Sequence, residues 1–434
     1  GELDAAVTNI IDATGKIIAP GFIDVHSHGD PLETPAFENF LAQGVTTITL
    51  GQDGDSPNVA DLGAWVEEVS ENGIGVNLAM FVGHGTLRDL AGIGQNPAPG
   101  PDQIQRMLEL LNNSLDYAFG LSTGLEYNPG LHAPESELVE MAKVVGSRDR
   151  VIMSHMRNED DDQLEKSIDE LLSQGLHARV HISHLKSVYG KGRARAEEIL
   201  EVIERARQSG IELSADVYPY NASYAGLALL FPVWSKTDEE FAVALSDRRE
   251  ELEEYLVNRI TNRNGPEATL LATDPYTGKT LADLEQELGL PFEEVLIDVI
   301  GPQGGSGAYF IMDDELQSRL LMDENITVSS DGSPTGFHPR GHGTFAKIIE
   351  EYVVNRAALP LEEAVRKMTS YAAALLGVTD RGSVEVGKAA DLIIFDPTLV
   401  RARASYSDPL QLAEGFEVVI VNGEVAFSNG AALA

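Results

Sequence analysis

The sequence predicts an α/β protein: a (β/α)8 TIM barrel that carries a small β-sandwich domain built from the chain termini and an inserted helical lid segment. Three observations support this prediction. Apolar strand-like runs alternate with amphipathic helical stretches, His or Asp residues recur directly after several of these runs, and from Gly382 onward the chain changes to strands with Gly and Asn turns. A doubly wound sheet is the alternative, but it needs a Gly-rich phosphate turn after the first strand, where this chain has VHSHGD.

Repeated β-then-α units indicate the barrel. The first buried strand is expected at Phe22–Val25, and it ends at a pair of His residues. Seven similar apolar runs follow it, at Thr46–Leu50, Val76–Phe81, Tyr117–Leu121, Val151–Ser154, Ala178–Ser183, Glu212–Asp216 and Thr327–Ser330. Amphipathic helices between them are predicted at Asp102–Asn112, Glu135–Val145, Leu164–Gln174 and Arg195–Gln208.

The domain boundaries follow from where this rhythm breaks. Residues 20–381 are assigned to the barrel, with an acidic helical insertion at about 232–325 that contains the strand-like run GAYFIM. Residues 1–19 and 382–434 are assigned to the β-sandwich. Because residues 1–19 supply only part of a sheet, we expect the N-terminal strands of the sandwich to be incomplete.

Composition excludes several classes of function. The chain has 69 Asp and Glu against 31 Lys and Arg, a formal charge of −38, which would repel nucleic acid and anionic membranes. It has no Cys, so a transition-metal site must use His, Asp and Glu. The acidic balance fits either a host with high internal salt or an ordinary acidic protein.

The sequence also gives expectations for membrane contact, compartment and oligomeric state. No apolar run is long enough for a transmembrane helix, so no membrane partner is expected. We expect a cytoplasmic protein, but the chain starts at Gly1 rather than Met, so a removed signal peptide leaves the periplasm or secretion open. A homo-oligomer is also left open.

His26 and His28 provide the strongest chemical signal. They follow the predicted strand FIDV at positions i and i+2, which point to the same side of a strand. Active sites of TIM barrels lie at the C-terminal ends of the strands, and two neutral imidazoles there can share one divalent metal. A solvated loop with incidental His residues is the alternative.

His155, His184 and Asp331 repeat this position in later units. His155 follows VIMS, His184 follows VHIS one unit later, and Asp331 follows ITVSS. Histidines buried in a core would not keep this phase with the strand ends. Because barrel chemistry draws on the ends of several strands, we expect these residues to share one site.

Motifs along the chain resemble a known group of enzymes. APGFIDVHSH, the strand-end His155 and His184, SSDG and GKAADLIIFD are together similar to the amidohydrolase superfamily of metal-dependent hydrolases. GLSTGLEYNPG, SHMRNE, ISHLK, DVYPY and HPRGHGTF resemble its D-aminoacylase (N-acyl-D-amino-acid deacylase) family. The similarity extends from about residue 10 to residue 425.

This resemblance implies a particular metal site. The D-aminoacylase family uses a Cys ligand after strand two, and Asp53 in GQDG takes that position here. The family's tight site then corresponds to Asp53, His155 and His184, with His26 and His28 forming a weaker second one. Zinc is expected first, but an oxygen ligand in place of sulfur also favours Mn, Fe or Co. A turn-forming role for Asp53 is the alternative.

The bridging lysine of other relatives is not expected. Many members of the superfamily join two metals with a carboxylated Lys from a mid-barrel strand. Between His28 and His155 this chain has one Lys, Lys143, and it lies in the helical pattern ESELVEMAKVVGSR. A bridge of the hydantoinase or dihydroorotase type is therefore excluded.

The resemblance also implies roles around the substrate. Asp331 would take a proton from the attacking water and return it to the leaving nitrogen. Lys186, Tyr218 and Arg340 would hold the α-carboxylate of an N-acyl amino acid, and Ser223 and Tyr224 are further candidates for substrate contact. The small-molecule partner is thus an N-acyl amino acid.

These inferences predict a metal-dependent hydrolase that deacylates N-acyl-D-amino acids, acting on carbon–nitrogen bonds other than peptide bonds. A D-aminoacyl dipeptidase or a cyclic-amide hydrolase on the same barrel is the alternative enzyme. The alternative of another class is an inactive metal-binding relative that serves as a binding module. The D-preference is implied by the resemblance alone.

Overall fold

The computed structural model of the protein describes residues 10–433. Residues 1–9 of the predicted N-terminal segment and Ala434 lie outside the described residues. Within the described range, no helix is long and apolar enough to cross a membrane.

Eight parallel strands form the barrel, as predicted. In chain order they are β2 (Phe22–Asp24), β3 (Val45–Leu50), β4 (Asn77–Gly83), β5 (Gly120–Gly124), β6 (Val151–His155), β7 (Arg179–Ile182), β8 (Leu213–Val217) and β12 (Ile326–Val328). Strand β1 (Ile17–Pro20) precedes them and belongs to a different sheet. Each strand pairs with the next in this order, and β12 lies beside β8. Nearly all their residues are buried, because one face packs inside the barrel and the other against helices, which explains the continuous apolar runs in the sequence.

The barrel closes at the strand ends that carry the predicted site. Ser27, just after β2, pairs with Gly332, just after β12. The amide of His28 donates to the Gly332 carbonyl at 2.8 Å, and the amide of Asp331 donates to the His26 carbonyl at 2.8 Å. The main chain at the closing seam therefore holds three predicted site residues in fixed register.

Helices surround the barrel and form the inserted segment. They are α1 (Glu38–Leu41), α2 (Leu62–Asn72), α3 (His84–Leu90), α4 (Pro101–Ser114), α5 (Glu135–Ser147), α6 (Leu164–Gly175), α7 (Gly192–Gln208), α8 (Asp238–Asp247), α9 (Arg249–Asn262), α10 (Leu281–Leu288), α11 (Phe292–Glu294), α12 (Asp314–Leu321), α13 (Arg340–Lys347), α14 (Leu361–Met368) and α15 (Ser370–Leu376). Two π-helical segments, Val295–Ile300 and Ile348–Asn355, extend α11 and α13. Short 3-10 turns lie at Gly130–His132, Leu227–Leu230, Val233–Ser235, Pro266–Ala268 and Pro397–Leu399. Lys143 lies on α5, in agreement with the helical pattern.

The interior of the barrel is packed rather than open. Inward-facing Val25, Phe81 and Met153 form a cluster with Ala372 and Leu376 of α15. Helix α15 thus packs against the end of the barrel opposite the strand ends that carry the predicted ligands.

A second sheet joins the two ends of the described chain. Its strands run antiparallel in the order β1, β13 (Leu392–Phe395), β14 (Phe416–Val421), β15 (Glu424–Ser428) and β16 (Ala431–Ala432). Ile17 of β1 pairs with Phe395 of β13. The predicted combination of a barrel with a strand-rich part from both termini is confirmed, and in the described residues this part is one five-stranded sheet.

The inserted segment has its own sheet and its own core. Strands β9 (Ser223–Gly226), β10 (Thr269–Leu271) and β11 (Ser306–Tyr309) pair in the order β10, β11, β9. Their apolar side chains pack with α9 and α10 in a cluster separate from the barrel core. Because β9 directly follows the barrel strand β8, this small sheet stands at the edge of the barrel mouth.

Candidate metal and active site

The six predicted polar residues lie at the ends of five barrel strands. His26 and His28 follow β2, Asp53 follows β3, His155 ends β6, His184 follows β7 and Asp331 follows β12. The carboxyl ends of parallel strands meet at one end of a barrel, so side chains far apart in sequence converge there. The structure brings all six together.

Asp53 lies at the centre of this cluster. Its Oδ1 is 3.3 Å from His184 Nε2 and 3.4 Å from His26 Nε2, and its Oδ2 is 3.5 Å from His28 Nε2. Burial opposes ionisation, but His26 and His184 hold the pKa of Asp53 well below its ordinary value. A single ionised carboxylate thus faces both the His26/His28 pair and the His184 ring.

Two groups of candidate metal ligands share Asp53. In one, ligand atoms of Asp53, His155 and His184 all lie within 4.8 Å of one another. In the other, the same holds for His26, His28, Asp53 and Asp331. Both sets combine imidazole and carboxylate donors, which suit zinc and neighbouring divalent metals.

Several donor atoms in the cluster have no suitable protein partner. Both ring nitrogens of His26 are fully buried, and among the described residues neither makes a hydrogen bond. His155 Nδ1 faces His184 Nε2 at 2.9 Å, so two ring nitrogens point at each other. Buried polar atoms are rarely left without partners, and a divalent ion between these rings would satisfy them. The residues present therefore fit a metal site.

Three of these residues adopt unfavourable backbone conformations. Asp53 has φ +53°, His184 has φ +38° and Asp331 has φ +49°. Residues other than Gly pay a strain energy in this left-handed region, and such strain concentrates at functional sites. The loops after β3, β7 and β12 bend sharply here, which turns the side chains toward the barrel axis.

Outer carboxylates orient the histidine rings. Glu126 Oε2 lies 3.2 Å from His155 Nε2, and Glu159 Oε1 lies 3.2 Å from His184 Nδ1. Asp216 accepts a hydrogen bond from the His184 amide at 2.9 Å and contacts His181 Nε2 at 2.6 Å. Such partners fix the ring orientation and tautomer of histidines that bind metals.

Asp331 and Arg340 form a buried ion pair. Arg340 Nη1 lies 2.7 Å from Asp331 Oδ2, and Asp331 Oδ1 lies 3.2 Å from His28 Nε2. Burial opposes ionisation of Asp331, but Arg340 and then His184 hold its pKa far below the ordinary value. The carboxylate is therefore ionised and can accept a proton.

The other predicted substrate contacts surround Arg340. Its guanidinium lies over the rings of Tyr218, at 5.0 Å, and Tyr224, at 5.7 Å. Tyr218 is completely buried beneath this guanidinium, whereas Ser223 and Tyr224 reach the cavity wall. Lys186 Nζ bonds Glu159 at 2.8 and 2.9 Å, and Glu159 raises the pKa of Lys186 against the effect of burial.

A cavity of about 820 Å³ opens onto this cluster. Eight of its lining side chains are carboxylates: Asp30, Asp53, Asp55, Asp89, Glu126, Glu159, Asp160 and Asp331. Lys186, Arg263 and Arg340 are the basic residues among the described lining residues. An anionic substrate must therefore be held by a few placed cations within a negative mouth.

Sequence reasoning missed some of these residues. His338 lines the cavity, and its Nδ1 accepts from the Arg340 amide at 3.1 Å. It stands in the quoted motif HPRGHGTF, where its place two residues before Arg340 was the available signal. Arg263 directly follows α9 in the insertion, and no local pattern marks it.

The comparisons with known proteins agree with this geometry. A family model described as "Amidohydrolase family" matches residues 264–427. N-acyl-D-aspartate deacylase of Alcaligenes xylosoxydans xylosoxydans is 32% identical, over 95% of this chain and 82% of its own length.

Solved structures match nearly the whole fold. N-acyl-D-glutamate deacylase from Bordetella bronchiseptica, complexed with zinc and a phosphonate inhibitor that mimics the tetrahedral intermediate, is 31% identical with a TM-score of 0.82, and the match covers 96% of this chain and 87% of that one. A D-aminoacylase studied for its binuclear metal centre, with one-metal activation and second-metal attenuation, is 28% identical with a TM-score of 0.79, over 98% and 89% of the two chains.

Proposed function

This chain belongs to the D-aminoacylase family of the amidohydrolase superfamily, and we propose that it hydrolyses the linear amide bond of N-acyl-D-amino acids, giving a carboxylate and a free D-amino acid. One observation carries the proposal. A set of imidazole and carboxylate donors lies beside an ionised Asp331 whose ion-pair partner, Arg340, faces the same cavity. Hydrolysis of an N-acyl amino acid needs these three elements: a metal site, a base and a cation for the α-carboxylate.

The metal ligands we propose are Asp53, His155 and His184 for a tight site. His26 and His28 would form a second, weaker site that shares Asp53 and is bordered by Asp331. Zinc is the proposed metal, with Mn, Fe or Co as alternatives, because neither set contains a thiolate that selects soft metals. When bound, such a metal supplies Lewis acidity toward the amide oxygen and lowers the pKa of water.

Asp331 acts as the base in this proposal. Its Oδ1 faces the His26/His28 pair, and its Oδ2 is held by Arg340, so one oxygen stays directed at the reacting atoms. The ionised carboxylate accepts the proton of the attacking water at Oδ1. The same oxygen then returns this proton to the amide nitrogen as the C–N bond breaks, which releases the amine neutral.

The α-carboxylate of the substrate is assigned to Arg340. A guanidinium offers five N–H donors, and Arg340 uses one at Nη2 toward the Tyr224 carbonyl, at 3.3 Å. Its Nη1 is in ion-pair contact with Asp331 but makes no hydrogen bond among the described residues. The remaining donors can grip a carboxylate, with Ser223 and Tyr224 at the adjacent wall. Lys186 adds positive potential, and Tyr218 supports the guanidinium from below.

The stereochemistry is proposed from the relatives. The two deacylases reported above act on N-acyl-D-aspartate and N-acyl-D-glutamate, and the D-configuration is extended to this chain on that ground. A cytoplasmic location stays a prediction, and a homo-oligomer stays an open alternative.

A substrate screen tests the function. The full chain, loaded separately with Zn, Mn or Co, is incubated with matched N-acetyl-D- and N-acetyl-L-amino acids, and free amino acid is measured. We expect hydrolysis of D-substrates and little of their L-enantiomers. Hydrolysis of hydantoins or D-dipeptides in preference would support the alternative enzymes, and no hydrolysis of any amide would favour the binding module.

A further inference from the structure

Arg263 is a buried cation without a charged partner. It follows α9, and only 2% of its surface is exposed. Its Nε is fully buried with no hydrogen-bond partner, and among the described residues no carboxylate oxygen lies within 4 Å of its guanidinium. The Tyr189 phenol is a hydrogen-bond partner of this guanidinium but brings no charge, and a buried guanidinium without a counter-ion is costly, so its position calls for an anion from outside the protein.

The neighbours of Arg263 do not neutralise it. The guanidinium lies 5.3 Å from the ring centre of Tyr309, which is a favourable but uncharged contact. Burial raises the pKa of Tyr189, its phenol neighbour, so this group is neutral at pH 7. Asp160 lines the same cavity, and its Oδ2 is already paired with Arg259 Nη1 at 3.3 Å. Arg259 thus takes the ion-pair contact of Asp160, and among the described residues Asp160 makes none with Arg263.

Arg263 reaches the same cavity as the proposed catalytic groups. It lines the cavity together with Asp160, Val188 and Ile311. The Val188 amide donates to the Glu159 carbonyl at 2.8 Å, and Glu159 holds Lys186 and His184. Val188, which lines the cavity with Arg263, is therefore linked through Glu159 to His184, one of the proposed metal ligands.

Arg263 also lies close to the proposed α-carboxylate site. Tyr309, beneath its guanidinium, pairs with Ser223 in the small sheet, and the next pair joins Ala308 to Tyr224. Tyr224 in turn lies under Arg340. Tyr309 and Tyr224 thus occupy neighbouring positions of the small sheet and point to its opposite faces. The cavity is lined by both guanidinium groups, of which Arg340 is assigned to the α-carboxylate.

We propose that Arg263 binds a second carboxylate of the substrate, so that the preferred substrates are dianionic N-acyl amino acids. This inference rests on the proposed function and adds the substrate class. The second carboxylate can stand on the amino-acid side chain or at the far end of the acyl group. Both sources present the same planar anion, which a guanidinium binds with two parallel hydrogen bonds.

Two matched substrate pairs test the proposal on the metal-loaded full chain. N-acetyl-D-glutamate and N-acetyl-D-glutamine differ in the charge of the side chain. N-succinyl-D-alanine and N-butanoyl-D-alanine differ in the charge at the end of the acyl group. We expect kcat/KM to favour the dianion by about tenfold or more in one pair, and that pair identifies the source.

Variants of Arg263 complete the test. Arg263→Gln should reduce the preference to within about twofold, and Arg263→Lys should retain part of it, because the charge stays but the planar fork is lost. Arg249→Gln, on the exposed start of the same helix, is the matched control and should leave the preference unchanged. If Arg263→Gln does not fold, the two substrate pairs measured with the wild type and with Arg263→Lys still test the role of Arg263.

The outcomes separate the two proposals. Equal kcat/KM within both pairs in the wild type, or an unchanged preference in Arg263→Gln, would overturn the role of Arg263 while leaving the deacylase function intact. No hydrolysis of any of the four substrates would instead contradict the proposed function.

Discussion

Arg340 Nη1 contacts Asp331 Oδ2 at 2.7 Å, with both side chains only 5% exposed. This ion pair joins the residue proposed to anchor the substrate to the residue proposed to move the proton. The two lie nine positions apart, on either side of a loop that contains two Gly and two Pro. In the proposed function, a carboxylate bound at Arg340 would therefore place the substrate directly beside the base, which is how an enzyme gains rate through orientation.

The ion pair predicts a shift in the pH dependence of kcat. Arg340 depresses the pKa of Asp331, so the base stays ionised as pH falls. In Arg340→Met that pKa rises, and the acidic limb of the kcat profile should move to higher pH. Arg340→Lys should move it less. The measurement is kcat against pH at saturating substrate, with metal content verified, and an unmoved limb in Arg340→Met would separate Arg340 from the proton-transferring group.

Arg340 should also decide the preference for a free α-carboxylate. Wild type should strongly prefer an N-acyl-D-amino acid over its α-amide, because a charge-assisted hydrogen bond contributes about 1.5–3 kcal/mol. Arg340→Ala should lose most of this preference, and Arg340→Lys should still bind more weakly than wild type. The ratio of kcat/KM for acid and amide is the readout. A variant that discriminates as well as wild type would show that the anchor lies elsewhere.

Asp331→Asn should separate proton transfer from metal binding. The amide keeps the size of the side chain but cannot take a proton, so turnover should fall by about two to four orders of magnitude. Metal content should remain that of the wild type, because the three proposed ligands of the tight site are untouched. Asp55→Asn removes another carboxylate of the same cavity and should retain most activity. Near-normal turnover in Asp331→Asn would assign the base to a different residue.

The sequence predicted the strand-end residues because their position is encoded locally. A run such as VIMS followed by His155 carries both the strand and the proposed ligand within five residues. The parallel barrel then brings such positions together, so their convergence follows from the fold class alone.

The remaining features depend on contacts that no local pattern encodes. Arg263 reaches the cavity beside a sheet that β9, β10 and β11 assemble from segments far apart in the sequence. The pairing of Arg340 with Asp331 depends on the path of one loop. Glu126 and Glu159 stand in motifs that were recognised, but their contacts with His155 and His184 required the relative positions of three strands.

The charge of −38 predicts stabilisation by salt. If this charge is an adaptation to high internal salt, the melting temperature should rise steadily from low to molar NaCl, because screening reduces repulsion among surface carboxylates. Sucrose at matched osmolality is the control, since it acts by exclusion from the surface without screening charge. A melting temperature that is flat or falls with NaCl would instead indicate an ordinary acidic protein.

Asp53 should be the ligand that decides metal binding. It faces His26, His28 and His184 at 3.3–3.5 Å, so both proposed sites depend on its charge. We expect a metal-loaded structure to show contacts of about 2.0–2.2 Å from Asp53, His155 and His184 to one ion.

Three variants test this assignment by metal content after dialysis and by melting temperature with and without added zinc. Asp53→Asn tolerates the same left-handed backbone but lacks the charge, and it should lose the tightly held metal. Asp53→Cys supplies a thiolate and should favour zinc over Mn. His26→Asn should keep the tight metal, because His26 belongs only to the second site.

Added zinc should stabilise wild type, by about 2.7 kcal/mol at a concentration one hundred times the Kd, and should have little effect on Asp53→Asn. Equal stabilisation of both proteins would remove Asp53 from the ligand set and leave the two histidines to hold the metal with a different carboxylate, of which Glu126 and Glu159 are the nearest.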